Sequence, residues 1–110
     1  MEKIATYANI LLELLKNYEQ PKNDMETHII TDLQKHHYQV VRMGWTDDYS
    51  FVVRIILYFQ IKENGKIWIM ANWTADDIEA TLMEMGVPKS DIVIGTTPER
   101  VRAYTGFAVA

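Results

Sequence analysis

Three histidines and two nearby carboxylates are the residues whose types and spacing could bind a metal ion. His28, His36 and His37 lie close together in the chain, with Glu26 and Asp32 among them, and imidazole and carboxylate groups are ordinary ligands of divalent ions. In a strand, however, adjacent side chains point to opposite faces, so His36 and His37 cannot easily share one ion. His28 and Asp32 could meet on one face, but two ligands are too few for a site. We therefore predict no metal and no cofactor.

Nucleophilic and acid–base catalysis also lacks the residues it needs. The chain contains no cysteine, which excludes thiol nucleophiles and zinc–thiolate sites. Its only serines, Ser50 and Ser90, do not stand in a Gly-x-Ser-x-Gly motif. The adjacent acids at 47–48 and 76–77 are typical of a turn and of the first turn of a helix. We therefore predict that the protein is not an enzyme and has no catalytic residues.

Length and composition indicate one ordinary globular domain. With 110 residues, 48% of them apolar and 24% charged, the chain is of common domain size and average polarity, so we predict a single domain over residues 1–110. No apolar run approaches the roughly 20 residues needed to span a membrane. The first residues lack the features of a secretory signal. We therefore expect no membrane contact and a cytoplasmic location.

The balance of charge weighs against direct contact with DNA. Eleven basic residues are scattered among fifteen acidic ones, which gives a formal net charge of −4. A protein that neutralises many phosphates normally carries clustered lysine and arginine. Direct DNA binding is therefore not expected.

The first third of the chain predicts a helix followed by two strands. Apolar residues recur at helical spacing from residue 4 to residue 18, and Pro21 ends that helix. Residues 25–33 alternate between two faces, as do residues 37–45, in which Gln39, Val41, Met43 and Trp45 share the face of His37.

The strongest alternation in the chain runs from residue 49 to residue 61. Every odd-numbered residue of this third strand is apolar, which predicts one buried face along its whole length. Asn64-Gly65 is a hairpin dipeptide, so a fourth strand beginning at Lys66 should pair antiparallel with the third.

The last third predicts helices and a docked carboxyl-terminal segment. Thr74 and Asp77 resemble a capping box that opens a helix, Gly86 ends it, and residues 92–94 form a short further strand. Thr97-Pro98 predicts the start of a short helix. The apolar residues 107–110 indicate a segment packed on the fold or on a partner. The predicted class is α+β: an antiparallel meander of four or more strands packed with an amino-terminal helix and a helix in the carboxyl-terminal half.

One face of this sheet is a candidate interaction surface. Arg42 and Arg54, with Tyr38, Tyr58 and Trp68, stand at matching parity in their strands and could form a mixed aromatic and basic face. Such residues are over-represented in protein–protein hot spots. The same face could equally be covered by a helix of this domain.

Several separated blocks of the sequence also resemble one known family. They are GKIWI at 65–69, GVPKSDIV at 86–93 and YTGFAVA at 104–110, with HYQVV at 37–41 and GW at 44–45 upstream. In this order and at nearly this spacing, they are similar to the XisI family, the fdxN element excision controlling factors. The resemblance runs from the first helix to the last residue. What the resemblance implies is a biological process and not a known chemical reaction.

The resemblance implies an accessory factor in the programmed excision of a DNA element in cyanobacteria. Family members are typically encoded with XisH, which is related to restriction-endonuclease-like nucleases, so a XisH-like protein is the implied partner. Arg102 and Tyr104 match the family's Arg-x-Tyr-Thr block, and Phe107 follows it. Relatives commonly carry an acid where His36 stands and a histidine where Tyr58 stands, so no site built from those groups is implied here.

Three alternatives remain open at this point. An antitoxin-like inhibitor unrelated to fdxN excision would bind the same kind of partner. A direct DNA-binding factor would use its arginines, at 42, 54, 100 and 102, and a small-molecule or metal enzyme would use its histidines. The wide apolar stripe of the first helix and the apolar carboxyl-terminal residues are also compatible with a homo-oligomer, but the sequence does not fix the number of chains. The candidate interaction residues are Arg42, Arg54, Tyr58, Trp68, Arg102, Tyr104 and Phe107.

Overall fold

The computed structural model describes residues 2–21 and 24–110. Helix α1 precedes four strands, and a second helix, a fifth strand and a one-turn helix follow them. The bounds are α1 Glu2–Leu15, β1 Glu26–Asp32, β2 His37–Trp45, β3 Phe51–Ile61, β4 Ile67–Asn72, α2 Ile78–Glu84, β5 Ile92–Ile94 and α3 Glu99–Arg102, with short 3-10 turns at Lys16–Tyr18 and Lys89–Asp91.

The five strands form one sheet in the order β1-β2-β3-β4-β5. The first four are antiparallel neighbours, which confirms the predicted meander and the α+β class. β5 pairs parallel with β4, because α2 carries the chain back along the sheet before β5 begins. The β3–β4 hairpin closes at Gly65, whose φ of 82° is in the left-handed region that glycine tolerates.

Both long helices pack on one face of the sheet. The core joins α1 and α2 to the central strands, and most of its side chains are fully buried; those of the helices are Tyr7, Leu11, Leu14, Leu15, Ile78 and Leu82. The strands contribute Tyr38, Val40, Leu57, Phe59, Ile67 and Ile69. We call this side the helix face and the other side the open face.

A buried carboxylate joins α1 to the start of β5. Asp91 is 9% exposed, and it accepts a hydrogen bond from the hydroxyl of Tyr7. Lys3 Nζ lies 3.0 Å from the other carboxylate oxygen. This contact connects residues far apart in sequence, so it fixes where the amino-terminal helix lies along the sheet.

The prediction of one buried face along the third strand is wrong. Val40 pairs with Leu57 but Val41 pairs with Ile55, so Ile56 is an extra residue in β3, a β-bulge. A bulge changes the parity of the strand. The odd-numbered residues are therefore buried on the helix face at 57, 59 and 61 but lie on the open face at 51, 53 and 55. Tyr49, the first residue of the predicted strand, lies in the turn that precedes β3.

The predicted start of α2 is also corrected. The hydroxyl of Thr74 donates to Asn72 Oδ1 at 2.6 Å, which holds Thr74 in a turn. Asp77 is the N-cap, because its side chain accepts a hydrogen bond from the backbone N–H of Ala80 at 3.0 Å. The predicted end at Gly86 is confirmed: its φ is 105°, and Val87 N–H bonds the carbonyl of Leu82 at 3.0 Å, as in a Schellman motif.

The short helix α3 begins two residues after its predicted cap. Its N-cap is Pro98 and not Thr97, because the ψ of 147° at Pro98 is outside the helical range. The carbonyl of Thr97 accepts a hydrogen bond from Arg102 Nε at 2.9 Å. No helix among the described residues is both long and apolar enough to cross a membrane.

Candidate interaction surface

Two arginines stand directly opposite each other on β2 and β3. Arg42 and Arg54 are cross-strand partners on the helix face, half-buried and exposed respectively. Arg42 Nε donates to the hydroxyl of Thr27 at 3.4 Å. Within residues 2–21 and 24–110 neither guanidinium has a carboxylate at ion-pair distance.

This arginine pair is expected to lower the stability of the fold. Like charges directly opposite on neighbouring strands are destabilising. A guanidinium binds carboxylate or phosphate through two parallel hydrogen bonds, which suits it to recognition of an anionic group. The arrangement is therefore suited to an acidic group supplied by another molecule.

The predicted mixed aromatic and basic face does not exist as one surface. The bulge at Ile56 places Arg42 and Arg54 on the helix face, whereas Tyr58 and Trp68 point to the open face. Tyr38 lies in the core, where burial raises its pKa above the ordinary value.

Trp68 is enclosed by two cations of its own chain. Lys62 Nζ lies 4.1 Å from the centre of the indole ring, and the Arg102 guanidinium carbon lies 4.8 Å from it, both within the range of cation–π attraction. Arg102 also donates to the carbonyls of Thr97, at 2.9 Å, and Val109, at 3.4 Å. Arg102 therefore anchors the carboxyl-terminal segment to the open face of β4.

The carboxyl-terminal segment docks on its own fold. Ala108 N–H bonds the carbonyl of Ile92 at 2.8 Å, and the segment makes a parallel β-bridge to Val93. Phe107 is half-buried and packs against the core. Tyr104 is 86% exposed, so it is the candidate from this segment that a partner could contact most freely.

Three neighbouring apolar side chains are exposed on β2 and β3, and two of them, Phe51 and Val53, belong to the alternation that predicted a buried face. Trp45, Phe51 and Val53 are 66%, 51% and 62% exposed, and the Trp45 and Phe51 rings meet edge-on with centres 5.2 Å apart. All three lie on the open face of β2 and β3. The bulge at Ile56 turns Phe51 and Val53 of β3 outward, and the alternation in the sequence does not reveal that bulge.

The histidines form no common site. His36 and His37 each lie beside a tyrosine hydroxyl, Nδ1 of His36 being 2.9 Å from Tyr38 and Nδ1 of His37 2.7 Å from Tyr58. His28 Nε2 lies 3.0 Å from Glu26. No cluster of three or more histidine, aspartate or glutamate side chains within residues 2–21 and 24–110 is placed to hold a metal ion.

An open groove of about 830 Å³ runs between the β1–β2 turn and the β3–β4 hairpin. His36, His37, Lys35 and Lys62 line it, with Glu63 at its edge. No serine stands in that lining, and both histidines are engaged with tyrosines.

Comparison with known proteins agrees with the architecture. The sequence model of the XisI protein family matches residues 1–109. The chain belongs to the XisI family. No curated protein matches it.

Two solved structures from Anabaena variabilis ATCC 29413 are similar to this XisI-family chain. One is a XisI-like protein, with a TM-score of 0.89 and 34% identity, covering 97% of this chain and 99% of that one. The other is described as the fdxN element excision controlling factor XisI, with a TM-score of 0.84 and 34% identity over 98% and 99% of the two chains. Helices, sheet and connections are thus shared over almost the whole length.

Proposed function

We propose that this protein is an accessory factor of the XisI type that controls excision of a DNA element by binding a XisH-like, nuclease-related protein in the cytoplasm. Family membership supports the process, and the similar Anabaena protein carries the name of an excision controlling factor. The observation that carries the mode of action is the Arg42–Arg54 pair, which faces no carboxylate of its own chain within the described residues.

The arginine pair supports protein recognition better than DNA binding. The four arginines named for a DNA contact do not form one surface. Arg102 stacks on Trp68, whose cross-strand partner is Gln60. Arg54 stands six positions before Gln60 in the same strand. The Arg42–Arg54 pair and Arg102 therefore lie about 20 Å apart along the strands. They also lie on opposite faces of the sheet. Two separated arginine groups on an acidic protein do not make the continuous basic track that binds a phosphate backbone.

The partner chemistry follows from the pair. Two adjacent guanidinium groups accommodate one or two carboxylates, and buried charge pairs of this kind hold a complex together through its dissociation rate. We therefore expect the partner to present aspartate or glutamate side chains to this point of the β2–β3 hairpin. Tyr104 lies elsewhere on the molecule and supplies a second, independent contact point in this proposal.

The test is a titration of the purified chain against a XisH-like protein, followed by light scattering behind a sizing column. Replacing both arginines (Arg42→Ala with Arg54→Ala) is expected to weaken the complex at least about tenfold. Arg100→Ala, an exposed arginine on α3, is the matched control and should leave it unchanged.

Thermal unfolding separates a binding role from a structural one. Because like charges opposite each other are unfavourable, Arg54→Ala should keep or raise the melting temperature while weakening the complex. Absence of any complex with the wild-type chain would refute the proposal. DNA binding that falls steeply with added salt would replace it with the direct-contact alternative.

A further inference from the structure

The open face of β1 to β3 is an exposed sheet surface to which the two longer strands, β2 and β3, present no formally charged side chain. Ten side chains of β2 and β3 point to it, and none is lysine, arginine, aspartate or glutamate: His37, Gln39, Val41, Met43, Trp45, Phe51, Val53, Ile55, Tyr58 and Gln60. Both long helices pack on the other face. The carboxyl-terminal segment meets the open face at Trp68, where Arg102 packs on the indole ring.

The exposure of this face is too large for an ordinary solvated sheet. Ile55 is 39% exposed, and Ile30 of β1 on the same face is 48% exposed, in addition to the aromatic pair and Val53. Solvated faces of antiparallel sheets are normally polar, and contiguous apolar patches mark contact sites. This face is therefore a surface that another molecule covers.

Charges at the two ends of one cross-strand row indicate the occupant. Asp32, His37, Gln60 and Trp68 are successive partners across β1, β2, β3 and β4. The row begins at a carboxylate, and it ends at an indole that carries the cations of Lys62 and Arg102. A copy of the row turned end for end places acid opposite base at both ends.

We propose that a second copy of this chain packs face to face on the open face, about a two-fold axis that runs parallel to the strands between β2 and β3. Such an axis reverses the row, so Asp32 of each copy faces Lys62 and Arg102 of the other. It also sets Met43 and Trp45 of each copy against Val53 and Phe51 of the other. Because the open-face side chains of β2 and β3 carry no formal charge and the acids Glu26 and Asp32 lie on the edge strand β1, the central strands of two chains of net charge −4 can approach without like-charge contact.

The size of the face sets the expected affinity. Four strands at about 4.8 Å spacing, averaging roughly 8 residues at about 3.3 Å each, give a footprint of about 500 Å² per copy. Specific interfaces bury about 800 Å² per partner, and smaller ones belong to weaker complexes. We therefore expect a dimer with a dissociation constant in the micromolar range.

Sedimentation equilibrium between about 1 and 200 μM tests the proposal on the wild-type chain, which should shift from 12.8 kDa towards twice that mass. Val53→Glu places one carboxylate from each copy in the buried interface and should raise the dissociation constant of the dimer at least about a hundredfold. Ala5→Glu is the control, because Ala5 is exposed on α1, which packs on the helix face, and it should leave the dimer unchanged. Circular dichroism confirms that both variants fold.

The orientation has its own test. Lys62→Glu replaces the attraction to Asp32 of the other copy with repulsion and should weaken the dimer several-fold. In an Asp32→Asn background the same change should have much less effect; asparagine keeps the acceptor that Asp32 offers to the N–H groups of Gln34 and Lys35.

A chain that stays at 12.8 kDa throughout, or a dimer that Val53→Glu does not weaken, overturns the second-copy assignment. Equal effects of Lys62→Glu in both backgrounds overturn the proposed axis. A monomer that binds the XisH-like protein and loses that binding with Val53→Glu would assign the face to the partner instead. The Arg42–Arg54 contact lies on the helix face, so the two proposals succeed or fail separately.

Discussion

The contact between Asp91 and Tyr7 gives the sharpest stability prediction. Replacing Asp91 with alanine removes the acceptor of the Tyr7 hydroxyl and the partner of Lys3. Tyr7 is 7% exposed, so its hydroxyl would be left buried without a hydrogen bond. The amino-terminal helix would also lose the polar contact that fixes it to β5.

The magnitude follows from the surroundings of each group. A hydrogen bond to a charged partner contributes about 1.5–3 kcal/mol, and an orphaned buried hydroxyl costs a similar amount. The Lys3 side chain is 45% exposed, so its ion pair adds less than about 1 kcal/mol. We therefore expect Asp91→Ala to lower the free energy of unfolding by about 2–4 kcal/mol, or the melting temperature by roughly 8–16 °C.

Urea unfolding followed by tryptophan fluorescence measures this loss, with Tyr7→Phe and the double variant completing a cycle. Tyr18→Phe is the matched control. Its hydroxyl donates to Asp76 at 2.5 Å on the surface, so its loss should cost less than about 1 kcal/mol. A loss below about 0.5 kcal/mol for Asp91→Ala, or fully additive single effects, would refute the reasoning.

The same contact predicts two pH limits. Burial alone raises the pKa of Asp91, but the bonds from Tyr7 and Lys3 outweigh it and hold that pKa below its ordinary value. Its stabilisation is therefore complete above about pH 4 and is lost as pH falls through the lowered pKa. Burial, together with the bond to Asp91, raises the pKa of Tyr7 to about 12. The contribution of Tyr7 is thus present below pH 10 and is lost between about 10 and 12. Asp91→Asn should reduce the loss of stability at low pH, and Tyr7→Phe should reduce the loss at high pH.

Three further substitutions test the backbone and the open face. Gly95→Ala places a Cβ 3.0 Å from the carbonyl oxygen of Ile69 and should lower the free energy of unfolding in urea by about 2 kcal/mol. Gly86→Ala is the comparison: its Cβ meets no atom within 4 Å, so it should cost only about 1 kcal/mol, for the φ of 105°. Asp77→Ala removes the N-cap of α2 and should cost about 1 kcal/mol. Arg102→Ala should release the carboxyl-terminal segment, seen as faster amide exchange at Ala108, while Arg100→Ala should not; equal exchange in both variants would contradict the anchoring role.

Local patterns in the sequence predicted most of the fold. β2 has the bounds that the sequence predicted, and the β3–β4 hairpin follows from the conformational freedom of Gly65. Gly86 ends α2 for the same reason. The docking of the carboxyl-terminal segment followed from its apolar composition, although the choice between its own fold and a partner was left open.

The candidate surface was predicted less well, because it depends on pairing. Arg42 and Arg54 share a face as expected, since they pair with each other on the same side of the bulge at Ile56. Tyr58 and Trp68 follow the bulge and lie on the other side, where Trp68 is occupied by Lys62 and by Arg102. A count of alternate residues cannot register one extra residue in a strand.

What the sequence by itself determined is therefore the kind and order of the elements, because backbone periodicity, capping and turn chemistry act over a few neighbouring residues. Only the tertiary structure decided which face each side chain takes. Ile56 is bulged because Val40 and Val41 pair with Leu57 and Ile55 across the strand, and the helices cover one side of the sheet alone. The alternation from Phe51 to Ile61 is one pattern in the chain, yet half of it forms the core and half forms an exposed surface.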